Sequence, residues 1–347
     1  MKKYRYYIYI IYLLIITYQI NSQAANLNIY IWGNYLPLEI VQQFTKETGI
    51  VVNITEYDNN ETMFTKLKAL KHSSYDIVVP SSYYVERMSK QGMLLRLNKT
   101  KLPNLIHLNP LLLNRDFDPK NIYSVPYLWG STGITLNNKY FNKQQIVGWR
   151  NFWDKQYQDQ LMIINDMRDV FSIGLLSLGY SVNDSNPEHI REAYLKLKQL
   201  LPNIKIFSID TIPNIYIDED AIIGMSWSGD HRLAKEENSN LEYIYPKEGF
   251  PLWIDNWAIL RDAPNVEQAH KFINFMLRPK IAKQITIITG NATANKSAIK
   301  LLPKKLQYNH IVNPPQKIIR QGQIQFELDD KIRQLYEEYW ELLKISN

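Results

Sequence analysis

Short apolar runs and amphipathic stretches alternate along the chain from Leu27 onward. The first apolar run predicts a strand over Leu27–Trp32, and the next stretch, Leu38–Glu47, places its apolar residues at helical spacing. Gly49 lies two residues after Glu47 and is typical of a residue that ends a helix in the left-handed conformation. This alternation is typical of an α/β domain whose strands are covered by helices.

The same alternation continues to the end of the chain. The further predicted strands are Ile50–Glu56, Asp76–Val79, Leu161–Asn165, Ile222–Trp227 and Trp257–Leu260. The further predicted helices are Glu61–Leu70, one beginning at Ser82, Val170–Leu178, Pro187–Leu200, Val266–Leu277 and Glu327–Leu343. Sheets of this kind bind ligands at the carboxyl ends of their strands, so polar and aromatic residues there are the first candidates for a site.

The first 24 residues have the layout of a secretory signal peptide. Three basic residues precede an apolar run over residues 6–16, and polar residues follow up to Ala24. A retained membrane anchor is the alternative, but the run is shorter than the roughly 20 apolar residues that span a bilayer. We therefore expect residues 1–24 to be removed and the mature chain to work in the periplasm.

Composition narrows the possible functions. The 347 residues, of which 45% are apolar, are enough for two hydrophobic cores, and the absence of cysteine excludes both disulfides and a lipid-anchored cysteine. The formal charge of +6 falls to +3 without the three basic residues of the predicted signal peptide. No dense basic block interleaved with aromatic residues is present, so nucleic acid is not an expected partner.

Seven stretches, in order along the chain, carry a family resemblance. They are Gln43–Ile50, Tyr75–Tyr84, Asp166–Phe171, Gly224–Trp227, Pro246–Gly249, Trp253–Asp255 and Ile273–Pro279. Together they resemble the periplasmic spermidine/putrescine-binding proteins of bacterial ABC importers over essentially the whole mature chain. The resemblance implies an α/β fold of the type II periplasmic binding protein class, with two lobes and a ligand cleft between them. We expect residues 25–130 and 256–300 to form lobe 1, and residues 131–255 and 301–347 to form lobe 2.

Acidic and aromatic residues follow the predicted strands, and a polyamine needs both. Its ammonium groups require carboxylates, and its methylene spacers pack on aromatic faces. Asp166 and Asp169 open a helix after a strand, where helix capping is the alternative role. Asp255 lies between Trp253 and Trp257, and strand alternation predicts that all three share a face. A structural ion pair with an arginine is the alternative for Asp255.

The resemblance also implies which residues bind the ligand. They are Trp32, Asn34, Tyr35, Ser81, Tyr83, Asp166, Asp169, Trp227, Trp253, Asp255, Asn291 and Gln325. Asn34 stands where the family commonly has an acid, Asn291 where it has a tyrosine, and Asp169 where it has a glutamate. Losing the carboxylate at Asn34 predicts weaker binding of longer polyamines or a shift in selectivity.

Two other functions stay open at this point. Asp166 or Asp169 together with Asp255 would also fit the carboxylate pair of a glycosidase. Tyr83 and Tyr84 resemble the adjacent tyrosines of ferric-ion-binding proteins, although the six histidines form no metal-spaced cluster. The favoured interpretation is a monomeric polyamine-binding protein that catalyses no reaction and holds no cofactor or metal. The resemblance implies an ABC permease of the inner membrane as its partner.

Overall fold

A computed structural model describes residues 26–70 and 74–345 of the chain. The predicted signal peptide, residues 1–24, lies outside the described residues. Within the described part of the chain, no helix has both the length and the apolar character needed to cross a membrane.

Strands and helices alternate through most of the sequence, as the hydrophobic pattern predicts. The strands are β1 Asn26–Trp32, β2 Val51–Tyr57, β3 Ile77–Val78, β4 Ser124–Asn137, β5 Leu161–Ile164, β6 Ile204–Ser208, β7 Ile223–Trp227, β8 Leu241–Ile244, β9 Phe250–Ile259, β10 Ala292–Thr293 and β11 Gly322–Ile324. The helices are α1 Leu38–Thr48, α2 Asn60–Ala69, α3 Ser82–Lys90, α4 Met167–Leu178, α5 Pro187–Lys198, α6 Ile212–Ile217, α7 Ser228–Glu237, α8 Val266–Met276, α9 Pro279–Thr289, α10 Lys296–Ile299, α11 Lys304–Gln307, α12 Gln316–Ile319 and α13 Asp330–Ile345.

Local sequence explains the clearest boundaries. Helix α1 buries Ile40, Val41 and Phe44 on one face and ends at Gly49, whose φ of 73° is the left-handed conformation predicted from the sequence. Helix α4 begins after Asp166, whose carboxylate accepts a hydrogen bond from a backbone N–H of the first turn. Asp166 therefore lies at a helix start that the sequence itself specifies.

Strand β4 is shared between two sheets. Its first part, Ser124–Ser131, pairs antiparallel with β9, and its second part, Thr132–Leu136, pairs antiparallel with β7. The first sheet has the order β2-β1-β3-β9-β4, with β10 beside β4 and β11 beside β9. The second has the order β4-β7-β5-β6, with β8 also beside β4. Each sheet with its helices forms one lobe.

The C-terminal helix supports the lobe that contains the second sheet. Helix α13 packs against α5 and α4, and it buries Ile332, Tyr336, Trp340 and Leu343. The sequence predicts this packing of an amphipathic helix across the back of a lobe, and the structure confirms it. The residue ranges assigned to the two lobes from the sequence stay a prediction.

Candidate functional site

A cavity of about 690 Å³ opens at the strand ends where the two sheets meet. It is lined by all twelve residues that the sequence assigns to a ligand site: Trp32, Asn34, Tyr35, Ser81, Tyr83, Asp166, Asp169, Trp227, Trp253, Asp255, Asn291 and Gln325. The structure thus brings together residues that are far apart in the sequence. Whether each of them contacts a ligand stays a prediction.

Acidic residues dominate the charge of this cavity. Eight of its lining residues are aspartate or glutamate: Glu39, Glu56, Asp58, Asp166, Asp169, Asp210, Asp230 and Asp255. None of the described residues that line it is lysine, arginine or histidine. The cavity is therefore a region of negative potential in a chain whose net charge is positive.

Asp255 is the most buried acid of the cavity, with 2% of its surface exposed. Its Oδ1 accepts a hydrogen bond of 2.6 Å from the Ser81 hydroxyl, and the Tyr35 side chain also bonds to it. Burial raises the pKa of Asp255 to about 7, against the lowering effect of these hydrogen bonds. Among the described residues no arginine pairs with Asp255, so the structural ion pair considered from the sequence is not formed.

Asp169 is held from three sides in the opposite lobe. Its Oδ2 accepts hydrogen bonds from Thr132 at 2.8 Å and from the Trp227 indole at 2.9 Å, while Gln325 Nε2 lies 3.4 Å from Oδ1. Burial and then the neighbouring Asp166 carboxylate raise the pKa of Asp169. The carboxylate is thus fixed in place in the cavity wall before any ligand arrives.

Asp166 serves both roles that the sequence leaves open. It caps α4 by accepting a hydrogen bond of 2.9 Å from the Asp169 N–H, and it also lines the cavity. Burial raises its pKa, whereas that N–H and the Arg168 guanidinium lower it. Arg168 faces away from the cavity, over the Tyr83 ring at 5.0 Å, with one nitrogen donating to Phe326 O. It stabilises negative charge at Asp166 without occupying the cavity.

Asp230 is an acidic residue of the cavity that the sequence analysis does not identify. It lies in the first turn of α7, three residues after Trp227, and burial raises its pKa to about 7. Its carboxylate forms no hydrogen bond or ion pair with the described residues. The sequence pattern that could have identified Asp230 is the one that identifies Asp166 and Asp169, namely an acid at the start of a helix that follows a strand.

Aromatic side chains form the walls between the acids. The Trp32 ring lies 4.9 Å from Tyr57 and 6.2 Å from Tyr35, measured between centroids. Trp253 faces Gly130 across the β4–β9 pair, and a Cβ on Gly130 would overlap the indole ring. Trp257, predicted to share the face of Trp253, is fully buried in the core and does not line the cavity.

The two serines at the start of α3, Ser81 and Ser82, do not cap that helix through their side chains. Ser81 donates to Asp255 instead, and the Ser82 hydroxyl donates to Gln325 O at 3.2 Å. Asn60 Nδ2 donates to both Ser81 Oγ and the Tyr83 hydroxyl, each at 3.1 Å. The Ser82 bond links the first lobe to the segment that carries Gln325, whereas the other bonds lie within the first lobe.

The two asparagines that depart from the family pattern take different positions. Asn34 is exposed at the cavity mouth with a φ of 61°, a conformation that asparagine tolerates better than most residues. Asn291 is buried and packs directly over Gly229, because a Cβ there would overlap its side-chain oxygen. Both line the cavity, so each affects its shape and polarity.

The family model of the bacterial extracellular solute-binding proteins matches residues 39–312. The chain belongs to this family. A spermidine/putrescine-binding periplasmic protein of Salmonella typhimurium is 42% identical over 93% of the chain and 92% of its own length. The corresponding protein of Escherichia coli is 40% identical over 91% of the chain and 90% of its own length.

Solved structures of other solute-binding proteins share this fold. A putative spermidine/putrescine ABC transporter protein of Listeria monocytogenes superposes with a TM-score of 0.90 at 36% identity, covering 93% of this chain and 99% of its own. A lipoprotein of Treponema pallidum gives a TM-score of 0.82 at 26% identity, covering 92% and 99%. The family and the two-lobed α/β fold predicted from the sequence are confirmed, and this extracellular solute-binding protein works outside the cytoplasm.

Proposed function

We propose that this solute-binding protein captures a linear polyamine, spermidine or putrescine, in the cleft between its lobes and delivers it to an ABC permease. The observation that carries the proposal is the lining of the cavity, with eight acids, six Trp or Tyr side chains and, among the described residues, no basic side chain. Ammonium groups pair with carboxylates, and methylene spacers and cations both pack on aromatic faces. The relatives of 40–42% identity, named for spermidine and putrescine, support the same ligand class.

The acids are divided between the two lobes, which gives the ligand a means of closing them. Asp255 belongs to β9 in the first sheet, whereas Asp166 and Asp169 lie at the start of α4 beside the second sheet. A ligand with separated ammonium groups binds both sets only when the lobes approach each other. The closed state is therefore selected by differential contact, and the free energy of binding stabilises it.

Neighbouring hydrogen bonds define how each end of the ligand is bound. Asp255 already accepts from Ser81 and Tyr35, and Asp169 accepts from Thr132 and Trp227. These donors fix the carboxylates, so little conformational entropy is lost when an ammonium group binds. Trp253, lying against Gly130 at the meeting point of the lobes, provides the apolar surface for the spacer.

The geometry argues against a ferric-ion site. We propose that Asp169 and Asp255, each held by hydrogen-bond donors, bind ammonium groups and do not act as the carboxyl pair of a hydrolase. Tyr83 lines the cavity but Tyr84 does not, since its hydroxyl faces Arg87 at 3.2 Å. Nor do the described residues include a group of three His, Cys, Asp or Glu placed to hold a metal ion.

We further propose that the mature protein is a periplasmic monomer released by cleavage of residues 1–24. Its permease in the inner membrane would recognise the closed pair of lobes. Mass determination of the exported protein and its molar mass in light scattering test the cleavage and the monomeric state separately.

Calorimetric titration tests the ligand class. The full-length sequence is expressed, the product is unfolded and refolded to remove bound solute, and it is then titrated with putrescine, spermidine, spermine and butylamine. Micromolar or tighter binding of a di- or triamine with no binding of the monoamine supports the proposal. Absence of binding for all four refutes it, and turnover of a chromogenic glycoside would favour the hydrolase instead.

A further inference from the structure

Glu56 is one of the eight acids that line the cavity, and it lies at the cavity mouth, away from the carboxylates proposed above to bind the ligand. It is the penultimate residue of β2, it is exposed, and it lines the cavity next to Tyr57. Its Oε1 accepts a hydrogen bond of 3.2 Å from the Asn34 N–H. Among the described residues no lysine or arginine pairs with it, and its second oxygen has no partner.

The turn that follows β1 holds this carboxylate in place. Tyr35 N donates to Trp32 O at 3.3 Å and Gly33 N donates to Tyr57 O at 3.2 Å, so the turn folds back over the end of β2. Asn34 adopts its left-handed φ of 61° at the centre of this turn and directs its N–H at Glu56. A backbone donor thus orients a side chain that would otherwise move freely in solvent.

The same turn connects the mouth of the cavity to its deepest acid. Asn34 contacts Glu56, and the next residue, Tyr35, bonds through its side chain to Asp255. The Trp32 and Tyr57 rings, 4.9 Å apart, lie beside this turn and also line the cavity. A continuous aromatic wall therefore leads from the buried carboxylate Asp255 to the exposed carboxylate Glu56.

We propose that Glu56 is a specificity-determining residue that binds an additional ammonium group of a longer polyamine at the cavity mouth. A diamine has two ammonium groups, and these pair with one acid in each lobe. Glu56 then makes no contact with the ligand. A triamine or tetraamine extends along the aromatic wall and places a further cation there. The site consequently favours spermidine or spermine over putrescine. This inference rests on the proposed polyamine function.

The test replaces Glu56 by glutamine. Glutamine keeps a side-chain oxygen that accepts from the Asn34 N–H, so the turn is retained and only the charge is removed. An exposed ion pair contributes little to the free energy of binding. We therefore expect spermidine affinity to fall by only about fivefold at low salt, and by less at high salt. Putrescine affinity stays within about twofold. Glu338→Gln, on the exposed face of α13, makes the same change of net charge and serves as the matched control.

A second variant moves the charge instead of removing it. Aspartate tolerates the left-handed conformation of residue 34, so Asn34→Asp in the Glu56→Gln background returns a carboxylate to the same turn. We expect it to recover most of the spermidine affinity. An unchanged ratio of spermidine to putrescine affinity in Glu56→Gln, or an equal loss for both ligands, overturns the inference. Failure of the unaltered protein to bind any polyamine overturns the proposed function instead, so the two failures are distinguishable.

Discussion

Lowering the pH from 8 to 6 should weaken polyamine binding about tenfold for each buried carboxyl that meets an ammonium group. Burial raises the pKa of Asp255 to about 7, and it raises that of Asp230 to about 7 as well. A cation binds the ionised form, so binding lowers these pKa values and releases protons. The ligand itself stays protonated, because alkyl amines titrate near pH 10.

The magnitude follows from the ionised fraction of each group. A carboxyl with a pKa of about 7 is roughly nine-tenths ionised at pH 8 and roughly one-tenth ionised at pH 6. One such contact therefore changes the affinity about tenfold, and contacts at both Asp255 and Asp230 change it about a hundredfold. At pH 7 each group is half protonated, so binding at both releases about one proton per ligand.

Calorimetry in two buffers of different ionisation enthalpy measures both quantities. The difference in heat at pH 7 gives the number of protons released, and titrations at pH 6 and pH 8 give the change in affinity. Asp255→Asn removes one of the titrating groups and should reduce the pH dependence by about a factor of ten. Equal affinity at pH 6 and pH 8, with the same heat in both buffers, would refute contact of an ammonium group with Asp255 and with Asp230.

Three further predictions concern stability and packing. The raised pKa values mean that the folded, ligand-free protein binds protons more tightly than the unfolded chain, so its free energy of unfolding should decrease as the pH rises from about 5 to about 7. The slope is about 1.4 kcal/mol per pH unit for each such group, and a melting temperature that increases over this range would contradict it. Asp255→Asn should lower spermidine affinity at least tenfold yet raise the melting temperature of the ligand-free protein at pH 8, because asparagine still accepts from Ser81 without a buried charge. Calorimetry and thermal melts measure both effects, and unchanged affinity would remove Asp255 from the site. Gly130→Ala should displace the Trp253 ring and lower spermidine affinity by about tenfold, and a variant with normal affinity in the same titration would show that this ring does not contact the ligand.

Helices and half-buried strands were the predictable part of the fold. Helix α1 begins at Leu38 as the sequence predicts and ends one residue later than predicted. The periodic pattern of apolar residues specifies such an element locally. Strand β4, by contrast, is not predicted, although its 14 residues are all buried. Its sequence contains proline, two glycines, serine and threonines, so neither alternation nor a continuous apolar run marks it as a strand.

The residues that line the site were predicted from the sequence, but their arrangement in space was not. Acids that follow strands were found from their position, and the resemblance added residues such as Gln325, whose place beside Asp169 depends on a contact 156 residues away in the chain. Glu56 could not be selected in this way, because an exposed glutamate near a strand end is common on protein surfaces. Only the turn around Asn34, which depends on two strands lying side by side, gives this glutamate a fixed position.

The sharing of β4 between the sheets makes the two lobes one folding unit. Removing this strand would expose β9 in one lobe and β7 in the other, so neither sheet keeps its order without it. A lobe made without β4 would leave β9 or β7 without a backbone partner on one side, and this unpaired edge would favour aggregation. Movement of the lobes around the cleft and resistance to partial unfolding thus depend on the same strand, which pairs with β9 up to Ser131 and with β7 from Thr132.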